Sequence, residues 1–184
     1  MSKIPMKERS FLRLKKRRKT LRILLATSEI TAFLLILALI LPALFRERVR
    51  EDVEISQIQA ALEQVTDPSE SEKMKAPGTA SDLYRIYRVD ASSLEGFYLR
   101  LPASNMDVTE QVFLIAKTPE EAAKYREQLD ARLGSRKKDF ESYGTEQMKY
   151  LDRAVVLQKG KYVFLIISPE AEEKKQAILE VMTK

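Results

Sequence analysis

The chain of 184 residues contains no cysteine, no histidine and no tryptophan. Without cysteine it has neither a disulfide framework nor a thiol for lipid attachment. Without histidine it lacks the commonest general base and the usual ligand for zinc and copper. The five glycines are scattered, so there is no glycine-rich loop to cradle a phosphate chain. No serine stands in a recognisable serine–lysine motif, and no acidic stretch has the spacing of an EF-hand. These absences remove most familiar catalytic and cofactor chemistry, and the expectation is a protein that is not an enzyme and holds no cofactor or metal.

The chain does have one long apolar run. From Ile23 to Phe45 a single charge, Glu29, interrupts 23 residues. About 20 apolar residues in a helix rising about 1.5 Å each cross the hydrocarbon core of a bilayer. Residues 1–22 hold ten Lys or Arg against one acid, Glu8. That excess holds the N-terminal side in the cytoplasm and places the C-terminal part outside. The formal charge of +5 therefore averages two unlike regions, since residues 1–50 carry +10 and the rest −5. The basic tail is expected to lie against anionic lipid, and nucleic acid is not an expected partner of the acidic remainder. The run is long for a signal peptide, and Leu41-Pro42-Ala43 imitates a cleavage site poorly, so it is taken as an uncleaved signal-anchor. Glu29 either lies near the headgroups or contacts another membrane helix.

Past the span the expected order is a helical stalk over 46–66, a flexible linker over 67–81 and an extracytoplasmic α+β domain over 82–184. Ile55, Ile58, Leu62 and Val65 form one helical stripe, which leaves open docking onto the domain or a weak dimer contact through the stalk. The segment DPSESEKMKAPGTAS is polar and broken by two prolines. Strands are expected over Leu94–Leu101, Gln111–Lys117, Ala154–Gln158 and Lys161–Ile167, the last two joined at Lys159-Gly160. Thr118-Pro119 and Ser168-Pro169 each open a helix with a cap and a first-turn proline. Val112-Phe113-Leu114-Ile115 and Val163-Phe164-Leu165-Ile166 repeat the same four letters before these helices. The resulting ββαββα order implies a four-stranded antiparallel sheet with helices on one face.

Two groups of residues are candidate sites. Phe140 and Tyr143, in an expected turn beside Arg136 and Lys137, form a candidate interaction patch, because tyrosine suits a surface that is apolar at one end and wet at the other. Asp139 and Glu141 are a carboxylate pair of the kind glycoside hydrolysis uses, which makes an envelope hydrolase the alternative from another class. A membrane scaffold acting through Glu29 and the span is a third reading.

Leu83-Tyr84, the helix ending in Arg132, Phe140-Glu141-Ser142-Tyr143, Tyr150, Ala154-Val155-Val156 and Lys159-Gly160-Lys161-Tyr162-Val163 together resemble the bacterial family known as domain of unknown function 4358. The resemblance covers about residues 82–182 and has no single diagnostic motif. It implies a short protein anchored outside the membrane, from Gram-positive, clostridia-like bacteria, and it implies no activity. The absence of cysteine departs from the family's lipid-anchored members. The expected whole is a single-pass protein of the cell membrane that presents a non-catalytic domain to a protein or cell-envelope partner.

Overall fold

Four antiparallel strands, β1 (Leu94–Arg100), β2 (Glu110–Ala116), β3 (Val155–Lys159) and β4 (Tyr162–Ile167), form one sheet in the order β1-β2-β4-β3. The computed structural model describes residues 36, 37 and 49–183. The chain divides into two compact units, Met1–Glu47 and Arg48–Lys184, and all four strands belong to the second. The basic tail, Glu29 and the expected membrane span apart from residues 36 and 37 lie outside the described residues, among which no helix is long and apolar enough to cross a membrane. The α+β class and the four-stranded antiparallel sheet are as the sequence implies.

The repeated tetrads are the two central strands. Val112 lies opposite Leu165, Phe113 opposite Phe164 and Leu114 opposite Val163. The Phe113 and Phe164 rings stack with centroids 6.1 Å apart. Every residue of β2 and of β4 is buried. Because side chains alternate across a strand, such strands need cover on both faces.

Both faces are covered, which corrects the expectation of helices on one face. On one face, α3 (Ala80–Tyr87), α4 (Pro119–Phe140) and α5 (Thr145–Asp152) pack Leu83, Tyr87, Leu129, Phe140 and Leu151 over Val112, Leu114, Val163 and Leu165. On the other, α1 (Ile55–Val65) and α6 (Ala171–Thr183) pack Ile58, Leu62, Ile178 and Met182 over Phe113, Ile115, Phe164 and Ile166. With one face bare, the second row of phenylalanine and isoleucine would stand in water. Burying a side chain of that size contributes roughly 1.5–3 kcal/mol.

The segment expected to be a stalk is thus helical but docked. Its stripe lies on the sheet, and the Val53 amide donates to the Tyr162 hydroxyl at 3.3 Å. The segment expected to be a flexible linker is also ordered. Asp67 caps the short helix α2 (Pro68–Glu72), and the chain then follows the edge of the sheet, with Lys75 N–H donating to Leu101 C=O at 2.8 Å and Gly78 N–H to Leu99 C=O at 2.7 Å. Thr79 and Asp82 close a capping box at the start of α3.

α4 begins where expected, its Thr118 hydroxyl accepting from the Glu121 amide at 3.2 Å. It runs through Gly134 to Phe140, so the expected turn starts later. The β3–β4 hairpin turns at Gly160, whose φ of 56° lies in the left-handed region that glycine enters freely.

Candidate functional site

At one end of the sheet β1 finishes, β2 begins and β4 finishes, and two clusters of buried charge gather there. The first centres on Glu110, the opening residue of β2. Val112, Leu114 and Ala116 share its face, so Glu110 points toward α4 although its carboxylate has no solvent exposure. Arg132 and Arg136 stand one turn apart on α4 and meet it there. Arg132 Nε donates to Glu110 Oε2 at 3.2 Å, and its Nη2 donates to Oε1. The Tyr87 hydroxyl, from α3, donates to Oε2 at 2.6 Å. Arg136 Nε lies 3.6 Å from Oε1, while its Nη2 donates to Asp107 C=O at 2.6 Å.

Burial, followed by the Glu110 charge, pushes the Tyr87 hydroxyl well above its ordinary range, so it stays a donor. Burial works against the charge of Arg132, but Glu110 outweighs it and the guanidinium is held charged. A carboxylate sealed from water is tolerated only when its lone pairs are met, and Tyr87 and Arg132 meet these while the Arg136 charge stands close by.

In front of the two arginines opens a cleft of about 220 Å³. Lys75 from the ordered 67–79 segment and Arg85 from α3 face it, together with Arg132 and Arg136. Asn105, the half-buried Ile86, Leu101 and Pro102 complete the lining. No acidic residue lines it. Arg85 is paired at 2.9 Å with Asp82, whose carboxyl the Arg85 guanidinium and the Thr79 cap hold at about 2.

The second cluster surrounds Lys174 of α6, which is fully buried. Its ammonium donates to Glu70 of α2 and, at 2.6 Å, to the Ser168 hydroxyl, with Glu170 3.6 Å away. A serine and a lysine therefore meet where the sequence shows no motif. The lysine donates to the hydroxyl, the reverse of the contact through which a base activates a nucleophile. Both side chains are sealed, and the cluster ties α2 to the start of α6. Burial pushes the Glu70 carboxyl up, and Lys174 offsets this only in part. Glu70 Oε1 is buried with no hydrogen-bond partner among the described residues.

The residues singled out in the sequence are placed differently from one another. Phe140 is buried, with the Arg136 guanidinium 4.7 Å over its ring. Tyr143 is 60 % exposed and covers Phe140 at 5.3 Å between centroids. Lys137 is half-buried and pairs with Asp152 at 2.9 Å. The expected patch is therefore corrected to one exposed ring over a buried one, while Arg136 turns inward to the Glu110 cluster. Phe140 completes the buried stripe of α4, which a helix two turns shorter would not include. Asp139 is half exposed and 3.9 Å from Arg136, and Glu141 is exposed on the helix end. No group of three or more acidic side chains stands close enough to hold a metal ion among the described residues.

Sequence reasoning missed Glu110, Tyr87, Arg132 and Lys75 as site residues. One signal was available. Glu110 directly precedes the apolar run of β2 and shares its inward parity, which marks it as an acid in need of cationic partners.

The model of a family described as a domain of unknown function (DUF4358) matches residues 67–168, a stretch that takes in the sheet, the Glu110 cluster and all four cations of the cleft. No curated protein and no solved structure matches the chain. With more than half of its length matched, the chain belongs to the domain of unknown function 4358 family.

Proposed function

We propose that this protein is held in the cell membrane by one uncleaved span over 23–45, with residues 1–22 in the cytoplasm against anionic lipid. The domain from residue 49 onward then stands outside the membrane as a binding module without catalytic activity. The observation that carries the reading is the juxtaposition in the sequence of ten basic residues, a 23-residue apolar run and a separate folded unit. The chemistry of the domain supports it further. Its two sealed acids, Glu110 and Glu70, are both engaged by cations, and four cations with no acid line the cleft in front of Arg132 and Arg136. Cationic donors of this kind bind an anion, which suits a binding module.

The absence of cysteine makes the test clean. Single cysteines are introduced as Ser10→Cys and, in a second protein, Thr183→Cys, and intact cells are treated with a membrane-impermeant maleimide. The reading expects labelling at position 183 and protection at position 10 until the cells are lysed. Labelling of position 10 with protection of position 183 overturns it.

A further inference from the structure

We propose that the cleft between α3, α4 and the 67–79 segment is a binding site for a phosphoryl group carried by a small headgroup. The proposal names a ligand class for the binding module proposed above and rests on that reading for its non-catalytic character.

Four cations from three separate parts of the chain converge here: Lys75, Arg85, Arg132 and Arg136. Like charges gathered around one opening attract an anion into their midst. The acids that hold these side chains do not fill the opening. Glu110 lies behind the arginines with no exposure, and neither it, Asp82 nor Asp139 lines the cleft. Lys75 has no side-chain partner among the described residues. Arg132 spends Nε and Nη2 on Glu110, and no bond of its Nη1 is made among the described residues.

The arrangement is also pre-ordered. Glu110 fixes Arg132 from behind, the Asp107 carbonyl fixes Arg136, and Asp82 fixes Arg85. Side chains already held in place lose little rotamer freedom when a ligand arrives. An opening of about 220 Å³ is smaller than the roughly 300–1,000 Å³ of sites for drug-sized ligands and suits an ionic headgroup. A carboxylate offers two oxygens along one edge. Donors arriving from three sides match the three or more oxygens of a phosphoryl group better, and the guanidinium fork pairs two of them at once.

The test is isothermal titration of the full chain in non-ionic detergent with three probes: inorganic phosphate, glycerol 3-phosphate and glycerophosphoglycerol. The first is free phosphate and the second a soluble phosphomonoester, each monoanionic or dianionic. The third is the soluble diester of a lipid headgroup, so the ranking tells a free phosphate from a lipid source. Saturable binding of at least one probe is expected, weakened about tenfold or more in Lys75→Gln/Arg85→Gln. Both substituted side chains are exposed, so the melting temperature of that protein without ligand should match the parent. Lys75→Arg/Arg85→Lys should restore binding. Absence of binding with all three probes, or equal affinity in the glutamine variant, overturns the proposal. Release of inorganic phosphate from glycerol 3-phosphate, lost in the same variant, would uphold the site while refuting the non-catalytic reading.

Discussion

Glu110 and Arg132 form a two-point pair in which the carboxylate, on the first residue of β2, is sealed while the guanidinium, eight residues before the end of α4, keeps 22 % of its side chain in solvent. That asymmetry decides which partner the fold can spare.

Arg132→Met leaves a buried carboxylate with Tyr87 as its remaining close donor. Stranding a buried charge costs about 3–5 kcal/mol. Glu110→Gln keeps an acceptor for Tyr87 and frees two arginines that can reach the water of the cleft, so its expected loss is about 1–2 kcal/mol. Denaturant unfolding of both variants checks the order, and a larger loss for Glu110→Gln contradicts it.

The Glu70 carboxyl is raised by burial, against Lys174, so the folded chain holds its proton more firmly than the unfolded chain does. Its contribution to stability is full below the ordinary value of 4.5 and is lost as pH rises through the raised folded value. Lys174, Ser168 and Glu170 are the groups that face it. Melting temperature measured from pH 4 upward, taken as the difference between the parent and Glu70→Gln, should move against the parent as pH rises. A difference independent of pH rejects this account.

Two glycines of one region should respond oppositely to alanine. A Cβ on Gly144 would stand 2.5 Å from the buried Phe140 ring, whereas one on Gly134 meets nothing within 4 Å on the exposed face of α4. Gly144→Ala should destabilise by roughly 1–3 kcal/mol through overpacking. Gly134→Ala should stabilise by about 0.5–1 kcal/mol through helix propensity. Thermal unfolding of the two single variants decides the pair.

If α1 is part of the core, Leu62→Ala should cost about 2–5 kcal/mol, as for any large residue removed from a closed core. Gln64→Ala on the exposed side of the same helix should change stability by less than about 0.5 kcal/mol. Equal, small effects of both would restore the free stalk.

The strands were legible in the sequence because alternation and apolar runs are local properties. The β3–β4 hairpin was legible in Lys159-Gly160 and the start of α4 in Thr118-Pro119, since turn and cap chemistry act within four residues. The stripe of Ile55, Ile58, Leu62 and Val65 was visible too, but its target was not, because a stripe records that a face is buried and not against what. The polar composition of 67–81 misled for a related reason. Its order comes from backbone bonds to Leu99 and Leu101 and from the Glu70–Lys174 pair, partners roughly 20 to 100 residues away.

The site was the least legible part. Arg136 was noticed as a surface neighbour of Phe140, yet the helix runs on and turns both inward.

By itself the sequence determined the composition limits, the apolar run with its basic flank, the four strands and the start of α4, all of which depend on residues close along the chain. The last helix, expected to open at Ser168-Pro169, starts at Ala171 after a turn. Only the tertiary structure decided that both faces of the sheet are covered, that Glu110 gathers Tyr87, Arg132 and Arg136, and that Lys75 and Arg85 join them around one cleft. The physical reason is that charge pairing and two-sided burial depend on distance in space, which chain folding sets and local pattern does not record.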